Sequence, residues 1–257
     1  DDTCEYCRTG RYNICPGVDF MATQPNYKGA LTQYMTHPEE WTYHIPEGMT
    51  TMEGALVEPA AVGMHAAVLG GAQPGKSIVI LGGGTIGLMV LQACISLGAT
   101  DITVVDVIEK RLELAKKLGA ARVINGKEED TVAVLRSEEM YGDHGVDLVF
   151  EAAGAVFTAQ QAVQIVSRGG KIMMVGTQSK PVPIDFLKIN REVTIQTSFR
   201  YCNNFPQTIE AISSGRFNVK DMVTNIYDYE DVQKAFEEAI DPVKKTEMVK
   251  GVIKVAE

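Results

Sequence analysis

Leu81-Gly82-Gly83-Gly84-Thr85-Ile86-Gly87-Leu88 is the stretch that decides how this chain folds. The apolar run SIVIL (77–81) leads into it, and a long apolar stretch of helical length, 85–97, leads out. Glycine-rich turns are common, so G-x-G-x-x-G alone says little; placed between a buried strand and a helix it has a mechanism. Gly82 permits the tight turn, Gly84 lets backbone amides approach a pyrophosphate, and Gly87 lets the helix pack closely on its strand. The helix start offers unpaired N–H groups and the positive end of its dipole to the anion.

Working outward, short apolar runs alternate with amphipathic stretches. The runs are ITVVD (102–106), RVIN (122–125), VDLVF (146–150), KIMMV (171–175) and VTIQTSF (193–199). They lack period-2 alternation, which predicts strands buried on both faces and hence a parallel sheet covered by helices. Among the helical candidates, 108–118 places Leu112, Ala115 and Leu118 on one face and stops at Gly119. Strand and helix alternating in this way predict an α/β, doubly wound parallel sheet of Rossmann type.

Asp106 ends the second strand, nineteen residues after Gly87. A carboxylate there accepts both adenosine-ribose hydroxyls and repels a 2′-phosphate, and Val107 follows it rather than an arginine, so NAD is favoured over NADP. The alternative is that Asp106 only caps the next helix. Arg111, one turn into that helix, either lies beside the adenine or is a solvated surface charge. Val175-Gly176-Thr177 falls at the carboxyl edge of the sheet, where ligands of open α/β sheets bind; a plain strand-to-loop turn explains it as well.

After Tyr201 the pattern predicts a helix at about 205–214, a strand at 222–226, a helix starting near Asp228 and a final strand at 246–254. This tail is too short to fold alone. It is expected to pack against residues 1–60, so that 1–60 and 201–257 form one discontinuous domain around a dinucleotide-binding domain at 61–200.

The chain has 257 residues, 45% hydrophobic and 22% charged, as expected of a globular protein with one or two domains. Its net charge of -9, with no basic patch, argues against nucleic acid. No stretch reaches the roughly 18 apolar residues that span a bilayer. Cys4, Cys7 and Cys15 have metal-ligand spacing, and three thiolates suit tetrahedral zinc in a lobe too poor in apolar residues to fold well alone. Asp1, three residues before Cys4, is the candidate fourth ligand; the alternative is three free thiols. Cys94 reads as a buried inert thiol, and nothing beside Cys202 marks a nucleophile.

With these pieces placed, the chain resembles the zinc-containing medium-chain alcohol dehydrogenases, and within them the sorbitol (L-iditol, polyol) dehydrogenases. CEYCRTGRYNIC (4–15), ALVEPAAVGMHA (55–66), LGGGTIGL (81–88) and REVTIQTSFRYCNNFP (191–206) carry the likeness, and the FRYCN segment discriminates best. The resemblance implies a mainly β, GroES-like catalytic domain built from 1–60 and 201–257. It implies that Glu58 is the catalytic glutamate that reaches the catalytic zinc, and that Arg200 and Tyr201 hold polyol hydroxyls. Phe20 would line the substrate pocket. Thr85, Ile86, Ser198, Phe199 and Arg200 would join the cofactor contacts. The alternative for Glu58 is a helix-start carboxylate before Pro59.

The implied activity is oxidation of a sugar alcohol to a ketose with NAD, in a cytoplasmic homodimer or homotetramer joined along an open sheet edge. In the resembling family the catalytic zinc is held by a cysteine and a His-Glu pair. No His-Glu pair occurs here, and His37, His44, His65 and His144 read as surface or packing residues. By that comparison about ninety to a hundred residues would precede Asp1. Competing expectations are a butanediol or threonine dehydrogenase, a zinc-free quinone reductase, and a nucleotide-binding module without catalysis.

Overall fold

The structure, a computed structural model, describes residues 3–23 and 28–255; Asp1 lies outside them. A single helical turn, α1 (Glu5–Arg8), sits among the cysteines. The long helix α2 (Thr51–Gly70) begins with a capping box: the Thr50 side chain accepts from the Glu53 amide while the Glu53 carboxylate accepts from the Thr50 amide. It ends at Gly71 in the left-handed region, φ 75°. Pro59 therefore lies well inside the helix, and Glu58 is not a helix-start carboxylate. The helix also runs unbroken through residue 60, so the expected division at 60 and 61 falls inside one element.

β1 (Ser77–Leu81) and α3 (Thr85–Ser96) enclose the glycine turn. Then follow β2 (Asp101–Asp106), α4 (Glu109–Lys117), β3 (Arg122–Asn125), α5 (Thr131–Leu135), β4 (Val146–Glu151), α6 (Val156–Ile165), β5 (Val166–Met174) and β6 (Thr194–Thr197). The six strands are parallel in the order β3-β2-β1-β4-β5-β6, with Leu81 opposite both Val105 and Glu151. This is the doubly wound sheet expected, with its switch point between β1 and β4. β5 starts five residues before KIMMV, because α6 passes into it without a loop, and its pairing with β4 is irregular between Val146 and Leu148.

Successive residues of β1 enter different cores. Ile78 and Ile80 pack with Leu56, Leu88, Leu91 and Phe150, whereas Val79 and Leu81 pack with Val105, Leu135, Val149 and Ile172. Each such side chain, fully withdrawn from water, stabilises the fold by about 1.5–3 kcal/mol. α2 and α3 cross almost backbone to backbone: a methyl group at Gly63 would lie 2.5 Å from the Met89 carbonyl carbon.

The tail comprises α7 (Phe205–Ser213), β7 (Val223–Asp228), α8 (Val232–Ile240), α9 (Lys244–Glu247) and β8 (Lys250–Lys254). β7 and β8 form a separate parallel pair. The expected strand 246–254 starts late because Asp241 Oδ1 accepts from the Val243 and Lys244 amides and turns 244–247 into helix. The tail touches residues 1–60 through Tyr229 Oη and the Leu31 carbonyl at 3.4 Å. It also reaches the dinucleotide edge: the Thr85 hydroxyl donates to the Val249 carbonyl, and Arg111 Nη2 donates to the Lys245 carbonyl at 3.2 Å.

Candidate functional site

At the end of β1 the chain turns at Gly82, φ 110°, where a Cβ would meet the Ala153 amide at 2.8 Å. A methyl at Gly87 would overlap the Gly82 carbonyl oxygen, so the third glycine is required by contact between helix and turn. Gly84 precedes α3 and offers no side-chain acceptor, which leaves the first-turn amides free to face an anion. Thr85 and Ile86 begin the helix at the same mouth.

Asp106 is 9% exposed, and its Oδ2 accepts from the Gly83 amide at 2.7 Å. Its Oδ1 accepts from the Val107 and Ile108 amides at 2.7 and 2.9 Å. It is not the cap of α4, whose N-terminal flank is Ile108. Arg111 Nη1 lies 3.7 Å from Asp106 Oδ2 on a side chain only 22% exposed, so it is not a solvated surface charge. Its buried Nε has no hydrogen-bond partner among the described residues.

Val175, Gly176, Thr177 and Ser198 line a cleft of about 470 Å³ at the carboxyl edge of β5 and β6. Its wall carries two buried polar atoms without partners among the described residues, Gln178 Oε1 and Ser198 Oγ. A fully buried acid supports that wall. Glu151 accepts from the Ala153 and Gly154 amides and the Thr158 hydroxyl through Oε1, and from Gln178 Nε2 at 2.7 Å through Oε2. The sequence reading missed Glu151 and Gln178; the available signal was an acid closing a buried strand at the ligand edge. These cradles fit a dinucleotide: glycines where a pyrophosphate approaches, a strand-end acid for a ribose, and, beyond β4, orphaned polar atoms after β5 and β6.

Four side chains expected around a substrate also meet. The Arg200 guanidinium carbon lies 4.1 Å from the Phe20 ring centre, and Tyr201 packs edge-on to Phe20 at 6.3 Å. Phe199 also packs edge-on to Phe20, at 6.2 Å. Burial first, then the charge of Glu58, pushes the Tyr201 phenol up to about 12, and a hydrogen bond between the two side chains adds to the shift. Tyr201, Phe20 and Phe205 line a cavity of about 1050 Å³ that extends to Tyr12 and Trp41.

Arg200 and Asn203 both have left-handed backbones, φ 50° and 59°, which cost non-glycine residues about 1–3 kcal/mol each unless neighbours fix them. α2 supplies one clamp. Asn204, 4% exposed, accepts at Oδ1 from the Cys202 amide at 3.0 Å and from His65 Nδ1 at 2.9 Å. The amide donor fixes which atom of Asn204 is oxygen, so His65 carries its proton on Nδ1. Burial holds the His65 imidazole below its ordinary pKa. His65 is thus a packing residue with a partner, whereas His37 and His44 are exposed and His144 faces Asp147 at 3.4 Å. Cys202 donates to the Gly10 carbonyl at 2.9 Å, and Cys94 is buried with its thiol pushed up by burial.

The cysteine lobe forms the one three-donor metal cluster among the described residues. The sulfurs of Cys4, Cys7 and Cys15 lie within 4.8 Å of one another, and Cys4 and Cys15 are 3.6 Å apart. The Cys7 amide points at Cys4 Sγ (3.4 Å) and the Gly17 amide at Cys15 Sγ (3.3 Å). The Cys7 amide lowers the Cys4 thiol, whereas burial and then the neighbouring sulfurs push Cys7 up to about 12. Three sulfurs converging with amide support fit a tetrahedral zinc with a fourth position left over. Glu58 gathers no such group around it among the described residues, so they do not fit a catalytic zinc there.

The zinc-binding dehydrogenase family matches residues 85–214. The chain is 64% identical over 254 residues to an uncharacterized zinc-type alcohol dehydrogenase-like protein of Escherichia coli, a match covering 99% of this chain and 72% of the relative. It is 41% identical to the sorbitol dehydrogenase of Bacillus subtilis, covering 92% of this chain and 67% of the relative. Among solved structures it superposes on an Escherichia coli oxidoreductase/dehydrogenase of unknown specificity with a TM-score of 0.96 and 62% identity, covering 100% of this chain and 73% of that one. NAD(P) and zinc are the cofactors expected of such a protein. Glycine turn, strand-end acid, thiolate cluster and these likenesses agree: the chain belongs to the zinc-binding dehydrogenases.

Proposed function

We propose that this chain carries the NAD site and the substrate loop of a polyol dehydrogenase, an enzyme that oxidises a secondary alcohol of sorbitol, xylitol or iditol to the ketose. The observation that carries this reading is the convergence of Arg200 and Tyr201 on the ring of Phe20, with Glu58 beside the Tyr201 phenol. A guanidinium, a phenol and a carboxylate side by side can bond several adjacent hydroxyls, which suits a polyol better than a simple alcohol. The 41% identity to a sorbitol dehydrogenase supports it.

Bound NAD supplies the hydride acceptor. The chain's residues bind and orient. The turn Gly82–Gly87 receives the pyrophosphate, while Asp106 and Arg111 hold the adenosine end. The Asp106 charge disfavours a 2′-phosphate, which selects NAD over NADP. Val175, Gly176, Thr177 and Ser198, with Phe199 and Arg200, border the nicotinamide half. Arg200 and Tyr201 orient the polyol, Glu58 keeps the phenol proton in place, and Phe20 with Phe199 shields that side from water.

The cysteine lobe and the tail 201–257 belong to one substrate-side domain in this reading, and its zinc is structural. The open edge of β6, with exposed Phe186 and Leu187 in the segment between β5 and β6, suits contact with a second subunit. Reduced thiols suit the cytoplasm. The test is NADH formation by the protein at its natural length on sorbitol, xylitol and iditol against 2,3-butanediol and threonine. Preference for a sugar alcohol with NAD is expected; preference for butanediol or threonine overturns the reading.

A further inference from the structure

The turn between Cys7 and Cys15 does more than close the thiolate cluster. Asn13, 5% exposed, donates from Nδ2 to the Phe199 carbonyl at 2.9 Å, across 186 residues. The Tyr12 hydroxyl accepts from the Asn203 amide at 2.8 Å. The Gly10 carbonyl accepts from both Cys202 Sγ and Asn203 Nδ2, each at 2.9 Å. Four hydrogen bonds thus run from three residues of the cysteine lobe to the loop that holds Arg200 and Tyr201.

That loop needs holding. Its left-handed Arg200 and Asn203 are kept in place only because surrounding contacts over-determine them. α2 supplies one set through Asn204, and the lobe supplies the other. The lobe itself has little to fold on: α1 is one turn with no buried residue, and between Cys4 and Cys15 only Asn13 and Cys15 are buried. A short segment without an apolar core depends on cross-links, and here the available one is a metal on three converging thiolates.

We infer that Tyr12 and Asn13 are positioning residues for the Phe199–Asn204 loop, through which zinc held by Cys4, Cys7 and Cys15 sets the geometry of Arg200 and Tyr201. The lobe zinc then acts on substrate recognition at a distance, through backbone geometry, without touching the substrate. In calling the loop a polyol site this rests on the function proposed above; the coupling from metal to loop does not.

The experiment follows hydrogen exchange at the Tyr201 and Cys202 amides in the chain loaded with zinc and in the chain stripped by a chelator. Trp41, the single tryptophan, packs edge-on to Tyr12 at 4.8 Å and reports the state of the lobe by its emission. Zinc is expected to slow exchange at both amides by about tenfold, the scale of one or two hydrogen bonds. Tyr12→Phe keeps the ring and loses only the hydroxyl. With Asn13→Ala added, the chain is expected to take up zinc with the same change in Trp41 emission but to lose most of the slowing.

A wild-type chain that takes up no zinc, or takes it up with exchange at 201 and 202 unmoved, overturns the inference. So does a double variant that retains the full slowing. A sorbitol titration on the same samples separates the two readings. Slowing with no sorbitol binding sinks the polyol assignment and leaves the coupling standing, whereas sorbitol binding of equal strength with and without zinc sinks the coupling.

Discussion

The Gly83 amide donates to Asp106 Oδ2 at 2.7 Å, so the glycine turn and the acid twenty-three residues later form one buried unit. The turn is held in shape by the carboxylate proposed to hold the adenosine ribose, with Arg111 Nη1 3.7 Å from the same oxygen. Replacing Asp106 by alanine removes both a support and a ligand. NAD affinity is expected to fall about 10- to 100-fold, the scale of hydrogen bonds to a charged group, with NADP affected less. Calorimetric titration of the two dinucleotides checks this, and an unchanged NAD affinity would remove Asp106 from the site.

Gly87→Ala places a methyl group against the Gly82 carbonyl oxygen. Backbone cannot yield as a flexible side chain can, so a loss of about 3 kcal/mol or more in urea unfolding is expected, together with loss of NAD binding.

Tyr201 titrates at about 12, through burial first and the Glu58 charge second. Its folded-state value is raised, so its contribution to stability is complete below the ordinary phenol value of about 10 and is lost as pH climbs through about 12. Glu58→Gln removes the charge and leaves the burial. The phenol is then expected to ionise at lower pH while staying above 10, read by ultraviolet absorbance of tyrosinate in the variant against wild type.

His65 behaves with the opposite sign. Burial lowers its folded-state value, so the unfolded chain protonates first as pH falls below about 6.5 and stability declines from there until the folded imidazole also titrates. His65→Gln keeps a donor for Asn204 and carries no titratable proton. Unfolding curves between pH 7 and 5 are expected to show a shallower decline in the variant.

Metal analysis is expected to find one zinc per chain at the cysteine lobe, and Cys7→Ser to reduce it severalfold. Stripping the metal should lower Tm by about 5–10 °C, the scale of 2–3 kcal/mol in a chain of this length. Scanning calorimetry with and without chelator measures it, and a Tm indifferent to chelation would leave the thiols as free cysteines.

Much of the dinucleotide half was legible because its signals are local. Buried parallel strands show as unbroken apolar runs, and Gly87 is demanded by the Gly82 carbonyl five residues before it, although Gly82 itself faces the Ala153 amide across the sheet. Misreadings arose where two local signals competed. Pro59 left a helix start open as the alternative for Glu58, but the Thr50–Glu53 capping box had already begun the helix, and packing of Leu56, Val57 and Ala60 kept it running. Likewise 246–249 read as strand until Asp241 capped a turn of helix ahead of it.

The sequence by itself determined the doubly wound sheet, the placement of its glycine turn and the acid at 106, because each needs only spacing along one strand-turn-helix unit. It also named Phe20, Glu58, Arg200 and Tyr201, but only as a likeness. Tertiary structure alone decided that Arg200 and Tyr201 meet on Phe20 with Glu58 beside the phenol, that Asn13 reaches Phe199, and that Thr85 meets Val249. Such contacts join residues more than a hundred positions apart, where no periodicity or spacing carries information and only the packing of the two cores brings the chain back on itself.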